Sequence, residues 1–512
     1  MSLVSNLLDK HKLSATLAQA DDFEDWLVKS AWSQYIDCKM NKRIIIENQI
    51  NNLGLRFVNG TVRKEYNSEI EIPLDLVDDV WIESPENLET LGLKYEITEK
   101  KENNTVPESE VVIIEPGVES SDSSEIQFEK TDIQQPTGLI IRISGKPLQP
   151  GDYSIKLNYK HKGWINGEEI SCLSLPIAFN PDPRSLWKNI PTPQDKTIFF
   201  KPDSEVGYVK VEETEASGPR KDIVAASQRG RSHAQEGKAR DDHFKLYHCD
   251  ESDWYIIAVA DGAGSAKFSR QGSRIACDTV VAHCQNQLLD ATDFEEKIRA
   301  YHDADDEVLA RKQMANIIYN IIGNAAFKAH KAINEQAVET AKEVAGTKAK
   351  DFATTLMFAI CKKFDFGWFV ASYWVGDGAM CIFNQEKKTF KLLGVPDEGE
   401  FSCQTRFLTM PEIFKDAKAV MDRLRFSIED DFTALMLMTD GVSDPMFETE
   451  NNLNSYDKWE EFWNKLKTGF SDDEIPGVDL SDDNEASKDQ LLQWMDFWSP
   501  GNHDDRTLAI LY

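Results

Sequence analysis

Basic side chains are scarce in this 512-residue sequence, which has 57 lysine and arginine residues against 88 aspartate and glutamate residues. The formal net charge of −31 excludes a broad cationic face of the kind that grips nucleic acid or an anionic membrane, although a few local arginines can still bind phosphate. Long apolar runs are also missing, since none approaches the roughly 18 residues of a membrane-spanning helix. The first 26 residues lack the pattern of a secretory signal, so we expect a soluble, cytoplasmic protein.

Paired cysteines are absent as well. The eight cysteines are scattered without a C-x-x-C pair, and the nine histidines form no H-E-x-x-H helix. A zinc site or a redox couple is therefore not indicated, and any bound metal must be held mostly by oxygen.

The chain divides into four regions. Residues 1–50 look helical, since "DDFEDWLVKSAWSQYID" places apolar residues at helical spacing. Residues 51–182 contain short β-rich pieces separated by turns, which is typical of an antiparallel sandwich, and "GLIIRISGKPLQPGDYSIKLNYK" resembles the closing strands of bacterial immunoglobulin-like modules. Residues 183–219 are rich in proline and charge, which favours an extended linker.

Residues 220–512 predict an α+β domain. Apolar strands such as "WYIIAVADG", "WFVASYWVGDG" and "ALMLMTDG" alternate with helical patterns at 311–345 and from Arg270 onward. Runs this apolar are expected when helices cover the outer faces of the sheets.

Four of the apolar strands in this region have aspartates at an end. Three strands run into Asp-Gly pairs and one begins after Asp-Asp: Asp261-Gly262, Asp377-Gly378, Asp440-Gly441 and Asp504-Asp505. Any single Asp-Gly pair is most simply a turn, because this pair is common in turns. Four such acids in one domain are harder to explain as independent turns.

Carboxylates that converge at one site need positive charge between them. Their mutual repulsion would raise their pKa values unless divalent cations were bound between them. Mg²⁺ and Mn²⁺ prefer carboxylate, carbonyl and water oxygens. Two such ions about 3.5–4 Å apart can activate a water for in-line attack on phosphorus, so these strand ends predict a two-metal site.

Six motifs in order resemble those of the metal-dependent protein serine/threonine phosphatases of type 2C. The resemblance covers about residues 222–512 and is carried by "HAQEGKARDDHF", "VADGAGSAKFSRQGSRIA", "DFATTLMFAI", "WVGDGAMCIF", "LMTDGVSD" and "HDDRTLAIL". It implies a fold of two packed antiparallel sheets flanked by helices, with two or three Mn²⁺ or Mg²⁺ ions at one end.

The resemblance also implies roles for single residues. Asp261 would bridge two metals and the Gly262 carbonyl would bind one of them, while Asp440 and Asp504 would complete the shell of the other. Asp242 matches an acid that orients the attacking water. Asp377 matches an acid that binds an additional metal.

The sequence departs from the family pattern at two positions. Many relatives have a histidine proton donor after the Asp-Gly pair, where this chain has Ala263, and we name His233 as a substitute with a structural role as its alternative. The phosphate-binding arginine has no clean counterpart, so Arg231 and Arg240 are both candidates, with a surface position as the alternative for each.

Several neighbouring residues are assigned supporting roles. Asp505 is read as an acid behind the site, Thr354 and Thr355 as strand residues that support it, and His503 as an exposed loop residue. The long acidic insert at 448–500 carries Trp459, Phe462, Trp463 and Leu466 on one helical face and is expected to pack against the catalytic body. As a further hypothesis, it gates or selects substrates.

The resemblance implies hydrolysis of phosphoserine or phosphothreonine in proteins by a metal-bridging water, without a covalent intermediate. The alternative is an inactive, phosphatase-like module that senses or binds phosphoproteins. A simple calcium-binding protein is disfavoured because no EF-hand loop is present. The expected partners are a phosphorylated protein and a kinase in the same signalling pathway, with the N-terminal sandwich as a protein-interaction module.

Overall fold

A computed structural model describes residues 10, 16–101, 136–212, 220–394, 396–397, 405–471 and 474–512. The chain forms two compact units, Met1–Leu186 and Trp187–Tyr512. The predicted strand "EVVIIEP" and the acidic, Ser-rich segment "EPGVESSDSSE" lie outside the described residues. Among the described residues, no helix has both the length and the hydrophobicity needed to cross a membrane.

The N-terminal unit begins with a long helix, α1 (Leu17–Asn52). Its N-terminus is fixed by a capping box, in which the Thr16 side chain accepts a bond from the backbone of Gln19 and the Gln19 side chain accepts one from the backbone of Thr16. Near its end, Ile46 and Ile50 are buried in the core of the unit. This helix, Leu17–Asn52, lies mostly within the region 1–50 that the sequence predicted to be helical.

Two small sheets follow in this unit. One has the strand order β1-β7-β6-β3 and the other β2-β5-β4, and residues of both sheets contribute to one core. Strand β2 alternates buried and exposed residues, as expected when one face of a sheet is covered. The elements are β1 (Gly60–Thr61), β2 (Tyr66–Pro73), β3 (Val77–Ile82), α2 (Glu86–Thr90), β4 (Leu93–Lys101), β5 (Pro136–Gly145), β6 (Gly151–His161) and β7 (Ser171–Asn180).

The C-terminal unit is built from two larger antiparallel sheets, of orders β10-β11-β12-β13-β16 and β15-β14-β17-β20-β9-β8. Its strands are β8 (Ser204–Val209), β9 (Ile223–Gln228), β10 (His243–His248), β11 (Tyr255–Ala260), β12 (Leu356–Phe364), β13 (Gly367–Val375), β14 (Ala379–Asn384), β15 (Thr389–Leu392), β16 (Leu424–Glu429), β17 (Ala434–Met438), β18 (Gly469–Phe470), β19 (Ile475–Pro476) and β20 (Arg506–Leu511). Its helices are α3 (Arg231–Glu236), α4 (Ser269–Leu288), α5 (Thr292–His302), α6 (Glu307–Ile318), α7 (Asn324–Thr340), α8 (Ala417–Met421), α9 (Asp440–Phe447), α10 (Tyr456–Thr468) and α11 (Ser487–Trp494).

Both faces of each large sheet are covered. On β11, Tyr255, Ile257 and Val259 enter a core shared with the second sheet, whereas Ile256 and Ala258 enter a core shared with helices α4 to α7. The second sheet is covered on its other face by residues of α9, α10 and α11. The resulting order of layers is helix, sheet, sheet, helix, which explains why the strands are apolar on both sides.

The prediction of a linker at 183–219 was wrong for residues 187–212. These residues belong to the C-terminal unit, and within them β8 pairs along its whole length with β9. Proline and charge had suggested an extended connection, but the prolines lie outside β8, which is an edge strand of its sheet. The predicted packing of the insert is confirmed, since Trp459, Phe462, Trp463 and Leu466 are all buried.

Candidate metal centre

The strand registers bring the four aspartate-bearing strand ends to one end of the two sheets. In the first sheet, the end of β11 and the end of β13 both pair with the beginning of β12, which places Asp261 and Asp377 beyond the same edge. In the second sheet, the end of β17 pairs with the beginning of β20, so Asp440 lies near Asp504. Acids separated by up to 243 residues in sequence thus converge because the strands are antiparallel.

Three carboxylates form the centre of this cluster. Carboxylate oxygens of Asp261, Asp377 and Asp440 lie within 4.8 Å of one another, and all three residues are half-buried. Buried oxygens of Asp377 and Asp440 accept no hydrogen bond within the chain. A set of half-buried, unpartnered acid oxygens this close together is what a divalent cation requires of its ligands.

The backbone around Asp261 is fixed by two threonines. Asp261 N donates to Thr355 Oγ1 at 2.8 Å, and Thr354 Oγ1 donates to the Asp261 carbonyl at 2.8 Å. Both threonines are buried. The two residues were predicted to be strand residues, but they lie just before β12, which begins at Leu356, and support the Asp261 backbone from there.

Glycine is required after two of the acids. A Cβ at Gly262 would lie 2.7 Å from the Asp241 carbonyl oxygen, and a Cβ at Gly441 would lie 1.9 Å from the Asp505 carbonyl oxygen. Any side chain at either position would push these segments apart. The Asp-Gly pairs at 261 and 440 are therefore sites of close backbone approach.

Asp242 is the most deeply buried acid of the site. Its Oδ2 accepts bonds from Thr439 Oγ1 at 2.9 Å and Thr507 Oγ1 at 2.7 Å, while Oδ1 has no partner in the chain. Burial, followed by the charge of Asp505, raises the pKa of Asp242 to about 7. The two threonines thus orient the side chain and leave one oxygen free for a ligand or water.

The other acids also resist ionisation when no cation is bound. Burial and then the charge of Asp440 hold the pKa of Asp261 well above its usual value, and burial and then Asp377 do the same for Asp440. The pKa of Asp504 is raised by desolvation and by Asp505. The fold therefore concentrates negative charge that a divalent cation would stabilise.

His233 lies behind this centre in a buried ion pair. Its Nδ1 is 3.0 Å from Asp505 Oδ1 and its Nε2 is 3.6 Å from Asp241 Oδ2. Asp505 also accepts bonds from the backbone nitrogens of Gly230 and Asp241, at 2.6 and 2.5 Å. Both ring nitrogens of His233 face carboxylates, so the geometry favours the structural alternative over the predicted role as proton donor.

The protein phosphatase 2C family model matches residues 229–494, which is more than half of the chain. The chain belongs to the protein phosphatase 2C family. A search of curated proteins found no match. The family assignment makes this protein a protein serine/threonine phosphatase, in agreement with the order of its motifs.

Solved structures similar to this phosphatase include a bacterial serine phosphatase, with 14% identity, coverage of 56% of this chain and 96% of that chain, and a TM-score of 0.33. The serine/threonine phosphatase Stp1 from Staphylococcus aureus has 13% identity, 59% and 98% coverage, and a TM-score of 0.32. The serine/threonine phosphatase of S. agalactiae has 13% identity, 57% and 99% coverage, and a TM-score of 0.31.

The two arginines predicted to bind phosphate are engaged elsewhere in the phosphatase. Arg240 is fully buried and donates to the Ser227 carbonyl at 2.8 Å and to Glu205 Oε2 at 2.6 Å. A phosphate cannot reach it, so this prediction was wrong. Arg231 donates to Asp496 Oδ1 at 2.8 Å, and its guanidinium lies over the ring of Trp498.

Sequence reasoning missed four side chains that support the phosphatase site: Lys201, Thr405, Thr439 and Thr507. The buried Lys201 Nζ donates to the Asp242 carbonyl at 2.7 Å and to Ser273 Oγ at 2.9 Å. Thr405 Oγ1 donates to Asp377 Oδ2. Lys201 lay in the predicted linker, where no sequence pattern pointed to a role at the site. Thr439 and Thr507 lie next to the acidic motifs and could have been found there.

Proposed function

We propose that this phosphatase hydrolyses phosphoserine and phosphothreonine in proteins and that its activity depends on divalent cations. One observation carries the proposal: carboxylate oxygens of Asp261, Asp377 and Asp440 converge within 4.8 Å, with buried oxygens that no protein donor satisfies. The family assignment supplies the reaction class. The charge and the oxygen chemistry of the cluster supply the reason for a metal requirement.

The acids fit Mn²⁺ or Mg²⁺, whose binding at two or three positions would activate a water and neutralise charge on the phosphoryl oxygens. Asp261 is the proposed ligand common to two ions, the Gly262 carbonyl would bind one of them, and Asp440 and Asp504 would complete the shell of the other. Asp377 is proposed to hold an additional ion. The unpartnered oxygens of Asp377 and Asp440 are consistent with these assignments.

Asp242 is proposed to orient the attacking water. Its Oδ2 is occupied by Thr439 and Thr507, so only Oδ1 can accept a proton from a water molecule. Hydrolysis then needs no nucleophilic side chain from the protein.

The experiment is a titration of Mn²⁺ and Mg²⁺ against hydrolysis of para-nitrophenyl phosphate and of a phosphothreonine peptide. We expect metal-dependent turnover that falls at least 100-fold in Asp261→Asn and Asp440→Asn, because each change removes an anionic ligand. Asp457→Asn, an exposed position on α10, is the matched control and is expected to leave turnover unchanged. Turnover independent of metal, or unaffected by both ligand changes, would contradict the proposal.

An inactive, phosphoprotein-sensing module is the second candidate. It is favoured by Ala263 at the position of the family's proton donor and by the engagement of Arg231 and Arg240 in internal contacts. Calorimetry of metal binding distinguishes the two functions. Stoichiometric binding of Mn²⁺ without turnover of either substrate would favour the sensor.

The proposal extends to the N-terminal unit and to the partners of the protein. We infer that the N-terminal unit, with its two sheets around one core, is an immunoglobulin-like module that recognises proteins. The proposed partners are a phosphorylated protein and the kinase that modifies it, in cytoplasmic signalling.

A further inference from the structure

Helix α1 presents a regular stripe of side chains along one side. Nearer its N-terminus than the buried Ile46 and Ile50, seven residues follow one another in alternating steps of four and three: Asp21, Asp25, Val28, Trp32, Tyr35, Lys39 and Lys42. These are the steps of a heptad repeat, which places side chains on the side of a helix where a second helix packs. We call this set the heptad stripe.

The centre of the heptad stripe is apolar and exposed. Val28 is 61% exposed, Trp32 64% and Tyr35 43%. The Trp32 and Tyr35 rings stack with their centroids 5.8 Å apart, which makes the apolar centre continuous. Large apolar side chains in a row at this exposure mark an interaction surface.

The ends of the heptad stripe carry opposite charges. Asp21 and Asp25 lie at its N-terminal end, and Lys39 and Lys42 at its C-terminal end. Lys39 Nζ donates one bond to the Gly163 carbonyl at 3.1 Å, which leaves two of its three protons for another acceptor. The stripe is therefore acidic, then apolar, then basic along the helix.

This order is self-complementary only when two copies run antiparallel. Residue 21 then faces residue 42, residue 25 faces 39, residue 28 faces 35, and Trp32 meets its own copy at the two-fold axis. A parallel pair would place acid against acid and lysine against lysine. The charge pattern thus selects one partner and one orientation.

None of the described side chains from Thr16 to Ile45 is buried, whereas Ile46 is buried in the unit's own core. Towards the basic end of the stripe, Lys39 bonds to the Gly163 carbonyl and Arg43 pairs with Glu169 of the same unit. A second helix can therefore lie along Val28, Trp32 and Tyr35 without displacing a buried side chain.

We propose that α1 pairs with α1 of a second copy of this chain, as an antiparallel two-helix coil formed through the heptad stripe. The acidic end of the stripe and the overall charge of −31 disfavour an anionic membrane as the occupant. The pairing is independent of phosphatase activity. It gives the protein a dimeric state in solution.

The first test measures the mass of the full chain by sedimentation equilibrium over a range of concentrations. We expect a reversible dimer of about twice the 58.1 kDa chain mass. Trp32→Glu is expected to weaken the dimer at least tenfold, because it places a charge at the two-fold axis. The matched control is Trp26→Glu, at a tryptophan 60% exposed and about 120° around the helix, which leaves the dimer intact.

The second test reverses the charges. Asp21→Lys with Asp25→Lys should give a monomer, since lysines then meet lysines at both ends. Adding Lys39→Asp and Lys42→Asp should restore the dimer. A native chain that is monomeric at all concentrations, or a fourfold variant no better than the twofold variant, would overturn the proposal.

Disulfide trapping tests the orientation, in a background carrying Cys38→Ser and Cys172→Ser at the two cysteines that are exposed among the described residues. Asp25→Cys combined with Lys39→Cys should crosslink two chains under mild oxidation. The two positions are about 21 Å apart on one helix, too far for a bond within a chain. Efficient crosslinking by Asp25→Cys alone would indicate a parallel pair and overturn the proposal.

Discussion

A buried lysine lies beneath the acids of the metal centre. Lys201 is 1% exposed, and its Nζ contacts the Asp242 carbonyl, the Asp241 carbonyl at 3.4 Å and Ser273 Oγ. Burial lowers its pKa to about 7. Lys201 thus links the backbone of Asp241 and Asp242 to Ser273 on helix α4. Its role is to position Asp242, since the hydrogen bonds of its Nζ go to backbone carbonyls and a hydroxyl and not to the carboxylates.

Replacing this lysine with methionine should misplace Asp242. Lys201→Met removes the donor to the buried Asp242 carbonyl, at a cost of about 1–3 kcal/mol in the free energy of unfolding, while the Asp241 carbonyl keeps its bond from Ser273 Oγ. We expect turnover of para-nitrophenyl phosphate to fall about tenfold or more, with a lower affinity for Mn²⁺ measured by calorimetry. Lys245→Met, at an exposed lysine on β10, is the control. Unchanged metal affinity with reduced stability would show that Lys201 serves stability alone.

The ion pair of His233 with Asp505 predicts a pH dependence of stability. Desolvation lowers the pKa of His233, but Asp505, Asp241 and Asp504 together outweigh it and raise this pKa to about 9. A histidine with a raised pKa stabilises the fold fully below its unfolded value near 6.5, and this contribution is lost as pH rises through 9. The shift corresponds to about 3 kcal/mol.

Thermal unfolding between pH 6 and 9.5 measures this contribution. The melting temperature of the native chain should fall more steeply across this window than that of His233→Gln, which cannot ionise. The comparison with the variant is needed because Asp242 and Lys201 also titrate near pH 7. The exposed His302→Gln should follow the native curve. Parallel curves for the native chain and His233→Gln would exclude a charged pair.

At the scale of elements, the sequence predicted the aspartates at the strand ends better than the elements that surround them. Asp261, Asp377, Asp440 and Asp504 could be found because each lies beside an end of an apolar strand, and a change of polarity at a strand end is a local signal. Their convergence followed from the family resemblance, and the antiparallel registers provide its physical basis. The sequence did not predict that a helix, α9, begins at Asp440. The five-residue strand β17 ends at Met438, only two residues earlier.

Other parts of the site depended on contacts that are distant in sequence. Strand β8 looked like a linker because an edge strand needs few apolar residues. The arginine at 240 was misread because its partner Glu205 lies on that unrecognised strand. A wrong assignment of one element therefore produced a wrong role for one residue.

The insert supports the helix that carries Asp440. In α10, Trp459 is fully buried, its Nε1 donates to the Leu453 carbonyl at 2.9 Å, and its ring lies 4.5 Å from that of Phe447 at the end of α9. The insert is thus part of the core. Its proposed influence on substrate choice is better tested by substitutions than by deletion.

Trp459→Ala should destabilise the phosphatase by about 3–5 kcal/mol, because it leaves a large cavity against α9. Chemical denaturation measures this change, and Asn464→Ala on the exposed side of α10 should have an effect within about 0.5 kcal/mol. If Trp459→Ala alters turnover of a phosphoprotein much more than turnover of para-nitrophenyl phosphate, the insert selects substrates. Equal losses would indicate a purely structural role.

At the scale of the whole molecule, every described residue of the metal centre belongs to the unit Trp187–Tyr512. The family model begins only at residue 229, and the sequence had placed the domain boundary at residue 220. The structure adds residues 187–212, which supply β8, Lys201 beneath Asp242, and Glu205 as the partner of Arg240. The unit that carries the metal centre therefore begins well before the first of the family motifs.

Two fragments of the chain test this boundary. The fragment 187–512 should fold and hydrolyse para-nitrophenyl phosphate within about twofold of the full chain, since it keeps both sheets complete. The fragment 220–512 should lose at least tenfold in turnover and unfold at a lower temperature, because β9 becomes an uncovered edge and Arg240 and the Asp242 backbone lose buried partners. Circular dichroism follows folding separately from activity, so the test holds even if neither fragment has turnover. Equal melting temperatures for the two fragments would show that residues 187–219 are a linker after all.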